Sequence, residues 1–383
     1  MTISALTFLF TPVPLAAAAD APEVRVLILE NATSIQVTVK GAYIVRSLPD
    51  LVVLKKGEGL LNAPLAVTAR GIRLDKQEWL ARGIRVEPAK DRELFLNTRR
   101  FRGVADVLRN KKGSLNVVNK LSVESYLYGV LHHEVAPWWP MNALKAQAVA
   151  ARTYALYQMR VSQAFDYDLK SGTSSQVYGG STTERYRTKR AVDLTAGQVL
   201  VNDTRLFPAY FHATCAGMTA GADELWNIRL PSLSGKVKCP YCRFSPHYSW
   251  EAKVPLAEIE EKMNKNGRAA GQILKIEPIS QTPSGRVGSL RITGTVREIT
   301  VAAKDFRIWV GGDRVRSTSF TVAVRDDMAE FHGKGWGHGV GLCQWGSFGQ
   351  ALLGHDHLKI LRFYYPGSQL AQYRSELKLH EVK

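Results

Sequence analysis

In the stretch LHHEVAPWWP, Glu134 follows two histidines and precedes Pro137 and the pair Trp138 and Trp139. A zinc-binding HExxH helix would need histidine at position 137, where this chain has proline. What remains is a carboxyl group at the C-terminal end of a helix, where the helix dipole disfavours negative charge and aromatic neighbours remove water. Both effects favour the protonated acid near neutral pH, the state needed to protonate a glycosidic oxygen. Spacing alone leaves a solvated helix-end glutamate as the alternative. Glycosidases ordinarily use a second carboxyl group roughly 5 to 10 Å away. Glu124 is ten positions earlier on the same helix, about 15 Å along its axis, and cannot serve. A lone carboxyl group suffices when the sugar's own C6 hydroxyl attacks: the acid protonates the leaving oxygen, and its conjugate base then takes the hydroxyl proton.

Downstream, in MNALKAQAVAARTYALYQMR, Lys145 and Arg152 share one helix face, and Gln147 and Tyr154 share a neighbouring one. Two cations among so many alanines suit anchoring of substrate carboxylates and sugar hydroxyls, or else an ordinary ion pair. Cys215, Cys239 and Cys242 lie close to His212 and His247 in FHATC and VKCPYCRFSPHYSW. Three thiolates and one imidazole, His212 or His247, would complete a tetrahedral structural zinc site; in an exported protein a disulfide within the trio competes. Cys343 stands apart and reads as a small buried residue.

From Gly333 to Gly341 every second residue is glycine. A Walker loop needs Ser or Thr after its GK, and the dinucleotide fingerprint needs GxGxxG; neither spacing is present. In an extended segment the alternation would strip one face bare and put His332, Lys334, Trp336, His338 and Val340 on the other. The bare face would admit a packing backbone, such as the Ala-rich helix, or a sugar ring.

These residues need elements to hold them. From Val24 to about residue 118 the chain alternates in β-branched runs punctuated by Gly and Asp, which predicts an antiparallel β unit. The period then changes: Val123, Tyr126, Leu127, Val130 and Leu131 make one helix face, capped by Ser122 and ended by Pro137. A second helix opens at Pro140, a short one lies near PLAEIEEKMNKNG, and QWGSFGQALLG reads as a helix closed by Gly354. The class is α+β and β-rich: an N-terminal antiparallel β unit, then a region built on two adjacent helices plus β-sheet.

The composition fits. An excess of 51 Lys and Arg over 34 Asp and Glu gives a net charge of +17, which favours an extended polyanion as partner. The first twenty residues read as an export signal, although a basic start is lacking. Export argues against nucleic acid. No later stretch approaches the about 20 apolar residues of a membrane span, so no integral spans are expected.

Several segments together resemble the stage II sporulation protein D (SpoIID/LytB) family, bacterial proteins acting on peptidoglycan. They are VESYLYGVLHHEVAPWWPMNALKAQAVAARTYAL, TSSQVYGG, TAGQVLV followed by PAYFHATCAGMT, GKGWGHGVGLCQWG and ILRFYYPG, in the family's order over roughly residues 24–368. The resemblance implies an exported lytic transglycosylase of periplasm or envelope, cutting peptide-free glycan strands to 1,6-anhydro-N-acetylmuramic acid ends without a cofactor for the chemistry. It places Glu134 on the catalytic glutamate and Lys145, Arg152, Tyr154, Gln176 and Tyr178 on groove positions. It also admits a non-catalytic role as enhancer of a partner cell-wall amidase. Some members carry metal-binding Cys and His just before QVY; here Lys170, Ser174 and Ser175 fill that stretch, and no metal is expected there. The family's GMSQYG is GLCQWG here, a change conservative in shape.

The expected organisation is a signal segment (1–20), a β domain (21–118), a catalytic region (119–370) with a β-rich insertion near 250–330, and a tail (371–383). Trp336 and His338 are expected to face a glycan. The mechanism requires Glu134, Arg152 and His338 to converge on one groove.

Overall fold

The computed structural model describes residues 22–172 and 175–380; the export-signal segment and Ser174 lie outside the described residues. Eight helices carry the labels used below: α1 (Val123–Glu134), α2 (Met141–Val161), α3 (Tyr186–Asp193), α4 (Ala222–Trp226), α5 (Leu256–Lys265), α6 (Ala303–Val310), α7 (Gln344–Leu352) and α8 (His357–Tyr364). With its several sheets, the fold is α+β and β-rich.

The N-terminal alternation becomes two sheets. One has seven strands and centres on Val104–Arg109, with Leu115–Ser122 and then Glu23–Ala32 beside it; the other has six and centres on Ser34–Lys40 and Leu60–Val67. Inward residues such as Val24, Val26, Val37, Leu65, Val86 and Val107 are all buried, as a period of two places them. The expected boundary at 118/119 falls inside the strand Leu115–Ser122, which runs straight into α1. Leu169–Lys170, from beyond α2, adds in parallel to the edge of the seven-stranded sheet. One hydrophobic core therefore runs from the sheets through Tyr126, Leu127, Val130 and Leu131 of α1 into α2.

The expected start and stop of α1 hold: Ser122 Oγ accepts from the Ser125 amide (3.3 Å), and the helix ends at Glu134, three residues before Pro137. In α2 the alanines Ala143, Ala146, Ala148, Ala150, Ala151 and Ala155 are buried, so short side chains let neighbouring backbone pack close to the helix.

Residues 249–334 have a core of their own. Strands Ser249–Pro255, Phe320–Arg325 and Met328–Lys334 form one sheet, Ile273–Gln281, Val287–Gly294 and Glu298–Ala302 another, with α5 and α6 alongside. The segment expected as a tail is instead held in a sheet. Gln369–Gln372 pairs with Gln198–Asn202, and Lys378–Leu379 with Arg205–Leu206.

The glycine alternation is not a flat strand. Only Gly333 lies in the strand, while Gly335, Gly337, Gly339 and Gly341 all take positive φ. Gly335, Gly337 and Gly341 press against residues 210–214, Gly333 against Trp250 and Gly339 against Arg286, and none against the Ala-rich helix. Thr214 and Trp336 exchange backbone hydrogen bonds of 3.0 and 2.9 Å, and the Leu342 amide donates to the Tyr210 carbonyl (3.1 Å). A Cβ at Gly341 would sit 2.0 Å from that carbonyl. Nor do the intervening side chains share a face: His332 points outward to Glu251 (3.2 Å), Lys334 is exposed, and Val340 is fully buried.

Candidate active site

A cleft of ≈ 410 Å³ opens where α1, the 210–213 segment, the glycine loop and α6 meet. Glu134 lies in it at the C-terminal end of α1, with Gln344 Nε2 donating to its Oε2 (3.1 Å). Desolvation pushes the Glu134 pKa up to about 7, against the lowering pull of the Gln344 and Val177 hydrogen bonds. The expected direction holds, but Trp138 and Trp139 are not cleft walls. Trp138 is exposed, and both rings pack with Phe348, Trp139 also with Trp345. Glu134 is the only carboxylate lining the cleft among the described residues. Glu124 is engaged elsewhere, as the spacing required.

Of the expected groove residues, Tyr154, Trp336 and His338 line this cleft with Glu134. Burial raises the Tyr154 pKa to about 12, so its hydroxyl stays protonated. The other five do not line it. Arg152 is buried in a bidentate pair with Glu124 (2.8 and 2.7 Å) and also donates to the Gln198 and Val192 carbonyls. It is a structural ion pair, so of the three residues required to converge only Glu134 and His338 do; a mechanism that needs Arg152 in the groove is ruled out, and what the cleft can support is one with Glu134 as the sole proton carrier and Arg307 as the cation. Gln176 is sealed between the Tyr126 hydroxyl (3.1 Å) and the Ala151 carbonyl. Tyr178 donates to Asn119 Oδ1 (2.8 Å), tying the loop that carries it to the strand Leu115–Ser122. Gln147 is fully buried. Lys145 faces α8, where burial and then its charge hold the His357 pKa low.

Of the residues expected around zinc, His212 lines the cleft instead, and the sulfur atoms of Cys215, Cys239 and Cys242 gather with that of Cys343, all within 4.8 Å of one another, with neither His212 nor His247 among them. His212 Nδ1–H donates to the Val340 carbonyl (3.1 Å), which fixes the tautomer and leaves Nε2 as an unpartnered acceptor. Desolvation and the Arg286 charge hold its pKa down at about 3, so the ring is neutral. His338 Nδ1 accepts from the Val340 amide (3.0 Å); burial, then His212 and Arg307, keep it neutral as well.

Sequence reasoning missed Gln344, Tyr210, Phe211, Trp226 and Arg307, all cleft residues. Gln344 stood in the GLCQWG segment, a signal that was available. Arg307, one of 51 basic residues, carried none. Its Nε donates to the Arg316 carbonyl (3.0 Å), and no carboxylate pairs with it among the described residues. The arrangement offers a proton donor held near neutrality, a neutral imidazole acceptor, aromatic rings suited to sugar faces, and one cation for an anionic substituent.

Among the described residues, no helix is long and apolar enough to cross a membrane. The profile of the family described as stage II sporulation protein matches residues 111–202, and that of a domain of unknown function matches 242–341. An uncharacterized protein of Brachyspira hyodysenteriae is 36% identical over 258 residues, 67% of this chain and 68% of that protein. The stage II sporulation protein D of Bacillus subtilis is 27% identical over 70% of this chain and 79% of its own length. The amidase enhancer of the same organism is 28% identical over 64% of this chain, which spans 40% of that longer protein. On its segments, its matched region containing Glu134 and these relatives, the chain belongs to the stage II sporulation protein D family.

Proposed function

We propose that this protein is a peptidoglycan lytic transglycosylase acting outside the cytoplasmic membrane, in the periplasm or envelope, on glycan strands stripped of stem peptides. The observation that carries this reading is a single cleft carboxyl group with its pKa raised to about 7. Protonated Glu134 gives its proton to the oxygen between N-acetylmuramic acid and N-acetylglucosamine, and the C1–O bond breaks toward an oxocarbenium ion. The muramic C6 hydroxyl closes on C1, its proton passes to the Glu134 carboxylate, and a 1,6-anhydro end results. No water is consumed and the acid is regenerated. Gln344 holds the carboxyl group in place through both steps. Loss of a stem peptide leaves a lactyl carboxylate on each muramic acid, so the substrate is a polyanion. Arg307 in the cleft and the net charge of +17 favour it.

The relative named an amidase enhancer supports a second reading, a glycan binder that stimulates a partner amidase. Digestion of amidase-treated glycan by wild type and Glu134→Gln separates the two. The enzyme reading expects anhydro-muramic products from wild type, reduced by about 10²-fold or more in the variant. Tight binding by both proteins with no product from either would leave the enhancer.

A further inference from the structure

All four cysteines of the chain meet at one point. Cys215 follows the strand Phe211–His212, Cys239 and Cys242 flank a tight turn, and Cys343 caps the first turn of α7. Their sulfur atoms all lie within 4.8 Å of one another, and all four residues are buried. A tetrahedral zinc thiolate site has Zn–S bonds of about 2.3 Å, hence S···S separations of about 3.8 Å. The Cys215 and Cys242 sulfurs are 3.6 Å apart. Four sulfurs gathered mutually around one centre fit a single ion; two disulfides would draw them into separate pairs.

The surroundings carry the matching charge. Arg286 is 3% exposed, yet its Nε and Nη1 have no partner, and its Nη2 donates to the Cys215 carbonyl (3.2 Å). A buried, incompletely partnered guanidinium is costly unless an anion lies beside it. Zinc with four thiolates carries two net negative charges. The amides of Cys215 and Gly346 each donate to Cys343 Sγ (3.3 Å), and the Tyr364 hydroxyl lies 3.1 Å from Cys239 Sγ. Such donors stabilise metal-bound thiolate.

The geometry points to a structural zinc site made by Cys215, Cys239, Cys242 and Cys343, with Arg286 as its charge partner. The ion closes three chain segments onto one another. Two of them lead into the cleft: residues 210–214 carry His212, and the residue after Cys343 is Gln344, the partner of Glu134. This inference stands whether or not the transglycosylase reading does, because its readout is metal and not product.

The test is zinc and thiol analysis of the full chain purified from its own host compartment, followed by cobalt exchange. Expected are about one zinc per chain and the intense thiolate-to-cobalt charge-transfer band of a tetrahedral site. Cys343→Ser is expected to lower zinc affinity by about tenfold or more, and His212→Ala to leave it unchanged. Should Cys343→Ser fail to fold, the cobalt spectrum of the wild type still decides. Two disulfides with no zinc, four free thiols that take up neither zinc nor cobalt, or zinc loss in His212→Ala with retention in Cys343→Ser would each overturn the site.

Discussion

At the scale of the residue, Glu134 combines usefulness with a stability penalty. Its folded pKa of about 7 exceeds the free value of 4.5. Below about pH 4.5 the group is protonated in both states and has no effect. As pH rises toward 7 the unfolded chain loses its proton first, so stability is lost over that window. The loss levels off above pH 7 at about 3 to 4 kcal/mol, from the rise of 4.5 to about 7 at about 1.4 kcal/mol per pH unit. Glu134→Gln, which never ionises, should therefore unfold at a higher temperature than wild type at pH 8, and the two should converge near pH 4. Parallel curves across that range would mean that the carboxyl group is not desolvated. The same titration should appear in catalysis, with kcat/KM on peptide-free glycan falling about tenfold per pH unit above about 7. Arg152 shows how a residue can mislead. A cation among alanines looks like a ligand for substrate, but its partner is Glu124, 28 positions earlier on another helix. Residue type alone does not separate a buried ion pair from a binding site.

At the scale of the element, regular periodicity was legible and irregular backbone was not. The α1 face, its Ser122 cap and the N-terminal alternation follow from side-chain spacing and were readable directly. The glycine loop has a period of two, which normally means a strand; here it records a positive φ at every second residue, four times over. The distinction depends on the 210–214 backbone packed against it, more than a hundred residues away in sequence. Cys343 is buried as its type suggests, but its place beside Cys215, Cys239 and Cys242 was not legible, because those residues lie about a hundred positions or more away in sequence. The loop should accordingly be intolerant of side chains. Gly341→Ala would combine φ +71 with a Cβ 2.0 Å from the Tyr210 carbonyl, whereas Gly113→Ala has φ +75 and nothing within 4 Å. Thermal unfolding should place Gly341→Ala at least about 2 kcal/mol below the Gly113→Ala control. Equal losses would mean that the loop does not pack as described.

At the scale of the whole molecule, the cleft is shared property. The acid comes from the region following the N-terminal sheets, its Gln344 partner from α7, and the free cation from the 249–334 unit. Arg307→Met should raise KM for peptide-free glycan about tenfold, change kcat little, and flatten the dependence of binding on salt. An unaltered salt dependence would assign selection of the polyanion to other basic residues. The order in which these parts leave the ribosome follows from the same geometry. Glu134 is synthesised 210 residues before Gln344 and still earlier relative to the helices that close behind it. A chain interrupted anywhere in that interval carries the acid without the Gln344 amide that donates to it. Completion of synthesis thus sets when the acid gains its partner, and a chain ending before Gln344 is expected to cut peptide-free glycan more slowly than the full chain.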